Sequence, residues 1–334
     1  MKTFNRSVFF LTTLKIKLIR ILNRKKIMYK ILSHIDPGTL DYIIYHKDCP
    51  DGFGAAYSAW KRLGNKPTYH AAQHSTPPPQ DIQGKRIGIF DFSYPKTTLK
   101  ELEKQAKIIA VVDHHKSARN DLLSGDDDKT NYFFDMDKSG ARLAWEFFWP
   151  DKEVPLLIRY IEDKDLWKFE LPKSREFSIF WSTIPYQFEI YDQYIKDESL
   201  IEKAIESGTH ILNYTQNRVS FLKDGYSFKR KMTVNIVDDD KKPQTRTYTV
   251  SVANSLVWIS DLGNSVAKMD GADFGMVFFY DGNLKRYNIS LRSLDEKADV
   301  SQVAKAFGGG GHRNAAGFVW EHKSIEDLFD SEEN

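Results

Sequence analysis

The sequence predicts an α/β protein in two parts: a parallel sheet covered on both faces by helices, and a smaller α/β domain joined to it by a long helix. Three observations predict this. Short β-branched runs recur, and each stops at an acid or a histidine: Tyr42-Ile43-Ile44-Tyr45 before His46, Arg86-Ile87-Gly88-Ile89-Phe90 before Asp91, and Ile108-Ile109-Ala110-Val111-Val112 before Asp113-His114-His115. Helical patterns stand between these runs, the alternation that calls for a parallel sheet. Beyond Trp181 the pattern changes, and an uninterrupted helical stretch from Glu198 to Lys223, with only Gly208 inside it, leads into strand-like segments.

Taken in order, Gly52 to Leu63 reads as a helix rich in small residues and closed by Gly64-Asn65, able to lie close on a sheet. Pro67 to Ala71 suggests a strand, and Ser75 to Gln83, with three consecutive prolines, a surface loop. A helix led by Pro95 runs through Leu99, Leu102 and Ala106. Asp126-Asp127-Asp128 reads as a solvated loop tip. Asp137 to Phe148 is a capped apolar helix, and Pro155 to Trp167 is another. In the second part, Arg230–Asp238, Arg246–Ala253, Phe274–Tyr280 and Tyr287–Leu291 are strand-like, with the turn Asp281-Gly282-Asn283 between the last two; helices fit near Asp261–Lys268 and Asp299–Phe307. The expected organisation is a leader over 1–35, a first domain over 41–185, a linker with the long helix over 186–228, a second domain over 229–325 and an acidic tail over 326–334.

The leader carries nine basic residues before Ile35 and no acid, with Val8, Leu11, Leu14, Leu18 and Leu22 at helical spacing. That pattern fits an organelle-targeting or membrane-surface helix, and equally a dispensable extension with Met28 as the working start; neither makes it part of the fold. A net charge of +2 is too small to argue for nucleic acid or membrane by itself. The single cysteine, Cys49, excludes an internal disulfide and suits a reducing compartment, so a cytoplasmic location is expected, with organelle targeting as the alternative. No apolar run reaches membrane-spanning length.

In an open α/β sheet, ligands gather beyond the carboxyl ends of the strands. Three strands ending in His46, Asp91 and Asp113-His114 would converge there. Carboxylates and imidazoles without a thiolate set favour Mn2+ or Mg2+ over structural zinc. Two such ions roughly 4 Å apart can activate a water and neutralise charge on a phosphoryl group. In the second part, Gly308 to Gly311 would let backbone N–H groups crowd an anion. His312, Arg313 and Arg292 add donors, and a helical pattern of small residues follows at Ala315-Ala316; phosphate binding is favoured over a ligand-free flexible loop.

Together these stretches resemble the DHH phosphoesterase family, in the branch with the DHH-associated C-terminal domain. The stretches that match are His46 to Phe53, Phe90 to Pro95, Asp113-His114-His115, the acids before Trp167, Ser290 to Ser293 with Asp299 to Ser301, and Gly308 to Phe318. The resemblance implies that His46 and Asp51 hold one metal ion, that Asp91 bridges, and that His114 with Asp165, or with Asp163, holds the second. It implies that Asp113 orients His114, that His115 faces the scissile phosphate, and that Arg292, His312 and the backbone of Gly309, Gly310 and Gly311 bind substrate phosphate across a cleft between domains. Many members carry a second acid in the first motif. Here the spacing to Asp51 is one residue longer and Phe53 stands at the expected acid, which makes Asp48 a further candidate ligand.

The function expected on that resemblance is metal-dependent hydrolysis of phosphate esters of small nucleotides or short oligonucleotides, by a water activated between two divalent ions, Mn2+ first, Mg2+ or Co2+ next. Catalytic roles fall to His115, Asp113, Arg292 and His312. The alternative is a non-catalytic scaffold for nucleic acid or protein that keeps the fold with a degenerate site.

Overall fold

The structure is a computed structural model and describes residues 26–73, 76–123, 131–237 and 242–331. Most of the basic leader, the Asp126-Asp127-Asp128 tip, Ser75, Asp238 and the last three residues of the acidic tail lie outside the described residues. The chain forms two compact units, Met1–Thr209 and His210–Asn334, divided within one long helix.

In the first unit residues 26–32 are helical (α1). There follow β1 (Tyr42–His46), α2 (Pro50–Leu63), β2 (Thr68–Ala72), β3 (Arg86–Phe90), α3 (Lys96–Glu103), β4 (Ile108–Asp113), α4 (Lys116–Leu122), β5 (Tyr132–Phe134) and α5 (Gly140–Phe148). Then come α6 (Leu156–Asp165), α7 (Ser174–Trp181), α8 (Phe188–Lys196) and α9 (Ser199–Tyr226). The five strands pair in parallel in the order β2-β1-β3-β4-β5, so the chain leaves β1 to one side for β2 and returns on the other for β3. The crevice at such a switch point, beyond the carboxyl ends of β1 and β3, is where open α/β sheets bind ligands. Side chains alternate between two cores. Ile43, Phe90, Ala110 and Val112 face α1, α2 and α5, while Ile44, Ile89, Ile109 and Val111 face α3 and α4. Strands covered on both sides read as continuous apolar runs, which is why β4 is so legible in the sequence.

The structure moves three expected boundaries. Met28, Leu32 and Ile35 are buried against Leu143 and Phe147, so the end of the expected leader belongs to the core. The expected linker is also core at its start: Tyr191 of α8 and Ile201 and Ala204 of α9 pack with Phe53 and Tyr57 of α2. Its aromatics look like loop residues until the rest of their cluster, Phe177 and Trp181, is placed beside them. In the tail, Leu328 is buried in the second unit and Asp330 accepts from the Thr233 amide at 3.1 Å, pinning the described part to a strand.

Helices α2 and α8 are also joined by charge. Asp192 accepts hydrogen bonds from Tyr57 at 2.9 Å, from Lys196 at 2.6 Å and from Lys61. Burial pushes its carboxyl up, but these donors prevail and hold it at about 2. A folded-state value below the unfolded one of about 3.9 gives stability that is complete above the unfolded value and lost as pH falls through the folded one. Asp192→Asn is therefore expected to cost on the order of 2 kcal/mol at neutral pH. It should also flatten the fall in stability between about pH 4 and pH 2, as read by urea unfolding across that range.

The second unit holds β6 (Phe228–Val237), β7 (Pro243–Asn254), α10 (Ile259–Ala267), β8 (Phe274–Asp281), β9 (Arg286–Arg292), α11 (Val300–Ala306), β10 (Gly310–His312) and β11 (Ala315–Trp320). The sheet runs β10-β11-β9-β8-β7-β6, antiparallel except for β7 beside β8. Helix α11 packs Val300, Val303 and Ala304 on one core of this unit, and α10 packs Leu262 and Val266 on another. The expected helix at Ala315-Ala316 is a strand. The glycines before it allow a tight antiparallel return, and Ala315 to Trp320 then pair along β9.

Candidate metal centre

His46 ends β1, Asp91 follows β3, and Asp113-His114-His115 end β4, so the parallel register brings three chemically active strand ends side by side. Helix α2 starts immediately after β1, with Pro50 at its first position and Asp51 in its first turn. A side-chain carbon on Gly52 would lie 2.2 Å from the His46 carbonyl oxygen, so only glycine lets α2 begin this close to the strand. The Asp51 carboxylate accepts from the amides of Gly140 at 2.6 Å and Ala141 at 3.0 Å, the first two residues of α5. Ser139 caps that helix through the Arg142 amide. A carboxylate at a helix N-terminus satisfies amides that have no partner within the helix.

Asp91 is the centre of the cluster. It is 1% exposed, its φ is 54°, and neither carboxylate oxygen has a hydrogen bond of good geometry among the described residues. Its Oδ1 lies 3.1 Å from His114 Nε2 and its Oδ2 lies 3.6 Å from His46 Nδ1. His114 Nε2 is also 3.6 Å from Asp165 and 3.7 Å from Asp51. The two oxygens of Asp91 thus face different imidazoles. Donor atoms fall within 4.8 Å of one another in the sets His46, Cys49, Asp91 and Asp51, His114, Asp165, and in a third made of Asp91, Asp113, His114 and His115.

The electrostatics are those of three carboxylates crowded around one imidazole. Burial pushes Asp51 and Asp165 up, Asp51 further through its neighbours Asp165 and Asp91, and Asp165 through Asp91 despite His114. Burial works against Asp91 too, but His114 and His46 hold it well below the usual carboxylate range. Burial opposes a charged His114, yet the same acids raise it well above an ordinary imidazole. Buried carboxylates without hydrogen bonds are stable only when paired or bound to metal, and the donor set fits divalent cations.

Several expected residues are placed differently. Asp51 falls with His114 and Asp165 rather than with His46. Asp113 accepts from the amide of His114 at 2.7 Å and from Nδ1 of His115 at 2.7 Å, so it holds the ring of His115, not that of His114. That contact raises His115 against its burial. Asp48 stands apart, its side chain 64% exposed beside Lys47 and Gln73. Phe53, where an acid is expected, is buried against Phe188 and Tyr191 at ring separations of 4.8 and 4.9 Å. An acid there would face an aromatic core. The sequence reading gave no role to Gly140, Ala141 or Cys49; only the position of Gly140 at the start of a capped helix could have drawn notice.

Asp163 and Asp165 separate cleanly. Asp163 accepts from the amides of Glu170 at 2.9 Å and Leu171 at 3.1 Å, tying a turn in which Trp167 and Phe169 adopt φ of 56° and 52°. Asp165 faces His114. Asp163→Ala strands two amides and is expected to cost about 2–3 kcal/mol while leaving cation affinity in place. Asp165→Ala should do the reverse, as a thermal melt and a calorimetric Mn2+ titration on the same samples would read.

Two cavities flank the cluster. One, of about 220 Å3, is lined by His46, Asp91, Phe92, Tyr94, Asp113 and His115. The other, of about 210 Å3, is lined by Cys49, Asp51, Tyr160, Lys164, Asp165 and Trp181.

In the second unit, Arg292 pairs with Ala315, and Ala315 with His312, so the two donors share one sheet face two strands apart, roughly 10 Å. The Arg292 guanidinium donates to Ser260 Oγ at 2.9 Å and to the Leu291 carbonyl at 2.9 Å, and burial lowers it. Of the glycines expected at phosphate, Gly309 and Gly311 are needed by the fold: a side-chain carbon would lie 2.1 Å from the Gly317 carbonyl oxygen in one case and 2.5 Å from that of Ala315 in the other. Gly310 meets nothing within 4 Å. Gly310→Ala should therefore melt with the parent protein. If this backbone cradles phosphate, its KM should rise with kcat unchanged, in steady-state kinetics.

A switch-point crevice of carboxylates and imidazoles beyond a parallel sheet, followed by a mixed-sheet unit, places the chain in a class of α/β protein whose donor set fits divalent cations. Residues 259–332 match the DHHA1 domain family. An uncharacterized protein of Acanthamoeba polyphaga mimivirus is 31% identical over 297 residues, 84% of this chain and 68% of that one. The chain belongs to the DHH phosphoesterase family. Among solved structures, an exopolyphosphatase-related protein from Bacteroides fragilis is 12% identical, covering 92% of this chain and 93% of that one with a TM-score of 0.49. RecJ from Thermus thermophilus in complex with Mn2+ is 14% identical, covering 92% of this chain and 52% of that one with a TM-score of 0.48. Among the described residues no helix is long and apolar enough to cross a membrane.

Proposed function

We propose that this protein is a phosphohydrolase that depends on two divalent metal ions and cleaves phosphate esters of small nucleotides or short oligonucleotides. The observation that carries the reading is Asp91, buried, with its two oxygens turned to two different sets of metal-type donors. His46 and Asp91 would hold one ion; Asp51, His114 and Asp165 would hold the other, with Asp91 shared. Bound there, such ions supply an acidified water and neutralise charge on a phosphoryl group. Asp113 fixes His115 through Nδ1, so the imidazole is held at the wall of the cavity it shares with His46 and Asp91, positioned to donate to a phosphate oxygen. Helix α5 holds Asp51 through two amides and would orient its carboxylate toward the cations. In the second unit, Arg292 and His312 would grip phosphate, Arg292 oriented by Ser260. Small cavities and a net charge of +2 favour a small substrate over a long nucleic acid, which calls for an extended basic groove.

The test is hydrolysis by the full chain, with Mn2+ and after chelation. The substrates are a nucleoside bisphosphate, a cyclic dinucleotide, pyrophosphate, di- to pentanucleotides and an oligomer of about twenty nucleotides. Metal-dependent turnover of a small substrate, lost in His114→Ala, is expected. No turnover of any of them and no bound metal would overturn the reading in favour of a scaffold.

A further inference from the structure

We propose that Cys49 is a metal ligand, so that the position formed by His46, Cys49 and Asp91 takes a thiophilic ion such as Zn2+, Co2+ or Fe2+, distinct in kind from the ion held by Asp51, His114 and Asp165. The inference rests on the reading of this cluster as a cation site and specifies its chemistry. Cys49 immediately precedes α2 and makes no capping hydrogen bond there. Its sulfur lies within 4.8 Å of a ring nitrogen of His46 and a carboxylate oxygen of Asp91. Asp91 is the second, independent observation: 1% exposed, with both oxygens lacking a hydrogen-bond partner among the described residues and Oδ2 turned toward His46.

Donor chemistry then separates the two positions. One offers sulfur, nitrogen and oxygen; the other offers two carboxylates and an imidazole. Thiolate selects Zn2+, Co2+ and Fe2+ over Mg2+, whereas carboxylate-rich sets accept Mg2+ and Mn2+. Three protein donors with room for water or substrate is also the composition of catalytic, rather than structural, zinc sites. Binding would displace the thiol proton to solvent, and no oxidant or reductant is involved. On this proposal the pair is mixed, where the acids and histidines alone point to Mn2+ first, with Mg2+ or Co2+ next.

The test uses the full chain, stripped by chelation and titrated with Co2+, reading both bound cobalt and the near-ultraviolet absorption of sulfur-to-cobalt charge transfer. Cys49 is the sole cysteine in the sequence, so such a band has one possible source. The band is expected in the parent protein and absent in Cys49→Ser, which still binds cobalt through the remaining donors. Serine before a helix is well tolerated, so this variant should fold. Zn2+ affinity should fall about 10–100-fold in Cys49→Ser, with Mn2+ affinity changed far less. In the parent protein, requiring no variant, Zn2+ should slow alkylation of Cys49 and Mg2+ should not. Cobalt bound without the band, or equal Zn2+ affinity in the variant, overturns the sulfur ligand and leaves the cation site standing. Failure of the parent protein to bind any cobalt overturns the cation reading itself, and this inference with it.

Discussion

Asp91→Ala will lower kcat/KM by about 10³-fold or more, roughly 4 kcal/mol of transition-state stabilisation, and will also lower the stability of the metal-free protein at neutral pH. Both halves follow from one geometry. Oδ2 of Asp91 faces His46 and Oδ1 faces His114, so on the proposed two-ion reading one substitution would remove a ligand from both positions. The carboxylate is buried and held ionised by His114 and His46, so its removal also takes a partner from both imidazoles. Steady-state kinetics with excess Mn2+, beside urea unfolding after chelation, reads both. A loss within tenfold would mean that Asp91 serves the fold rather than the chemistry.

Gly140→Ala should cost about 10²-fold in activity although it removes no ligand atom. The added carbon would sit 2.3 Å from Asp91 Cβ and 2.6 Å from its Cγ. Asp91 has little freedom to yield, being held at φ 54° between β3 and the crevice. The start of α5 must move instead, and it carries the two amides that hold Asp51. Displacement on the order of 1 Å at a reacting centre costs about 10²-fold. Overpacking adds about 1–3 kcal/mol of instability. The same substitution at Gly225, on α9 with nothing within 4 Å, should be neutral or stabilising by about 0.5–1 kcal/mol. Parallel kinetics and melts of the two variants would settle it; an active, unaltered Gly140→Ala protein would show that α5 does not position the site.

Much of the first unit was legible because its chemistry and its core lie on consecutive residues. A strand buried on both faces must be apolar throughout, so the residue that ends the run stands out: His46, Asp91, Asp113. The helices α7 and α8 were not legible. Their aromatics find partners only against one another and against α2, as Trp181 on Tyr191 and Phe188 on Phe53. The glycine tract was read correctly as permissive and wrongly as the prelude to a helix. Close packing against the Gly317 and Ala315 carbonyls already requires Gly309 and Gly311.

By itself the sequence determined the family, the α/β class and the residue types of the centre, because periodicity and strand-end chemistry are local properties of the chain. Tertiary structure alone decided how those residues combine. It set Asp165 at the cluster and Asp163 in a turn, gave Asp113 to His115, buried Phe53 and brought Cys49 beside His46 and Asp91. Such choices depend on directions and distances of a few ångströms between residues far apart in sequence, which are fixed only when the sheet register and the first turns of α2 and α5 are fixed together.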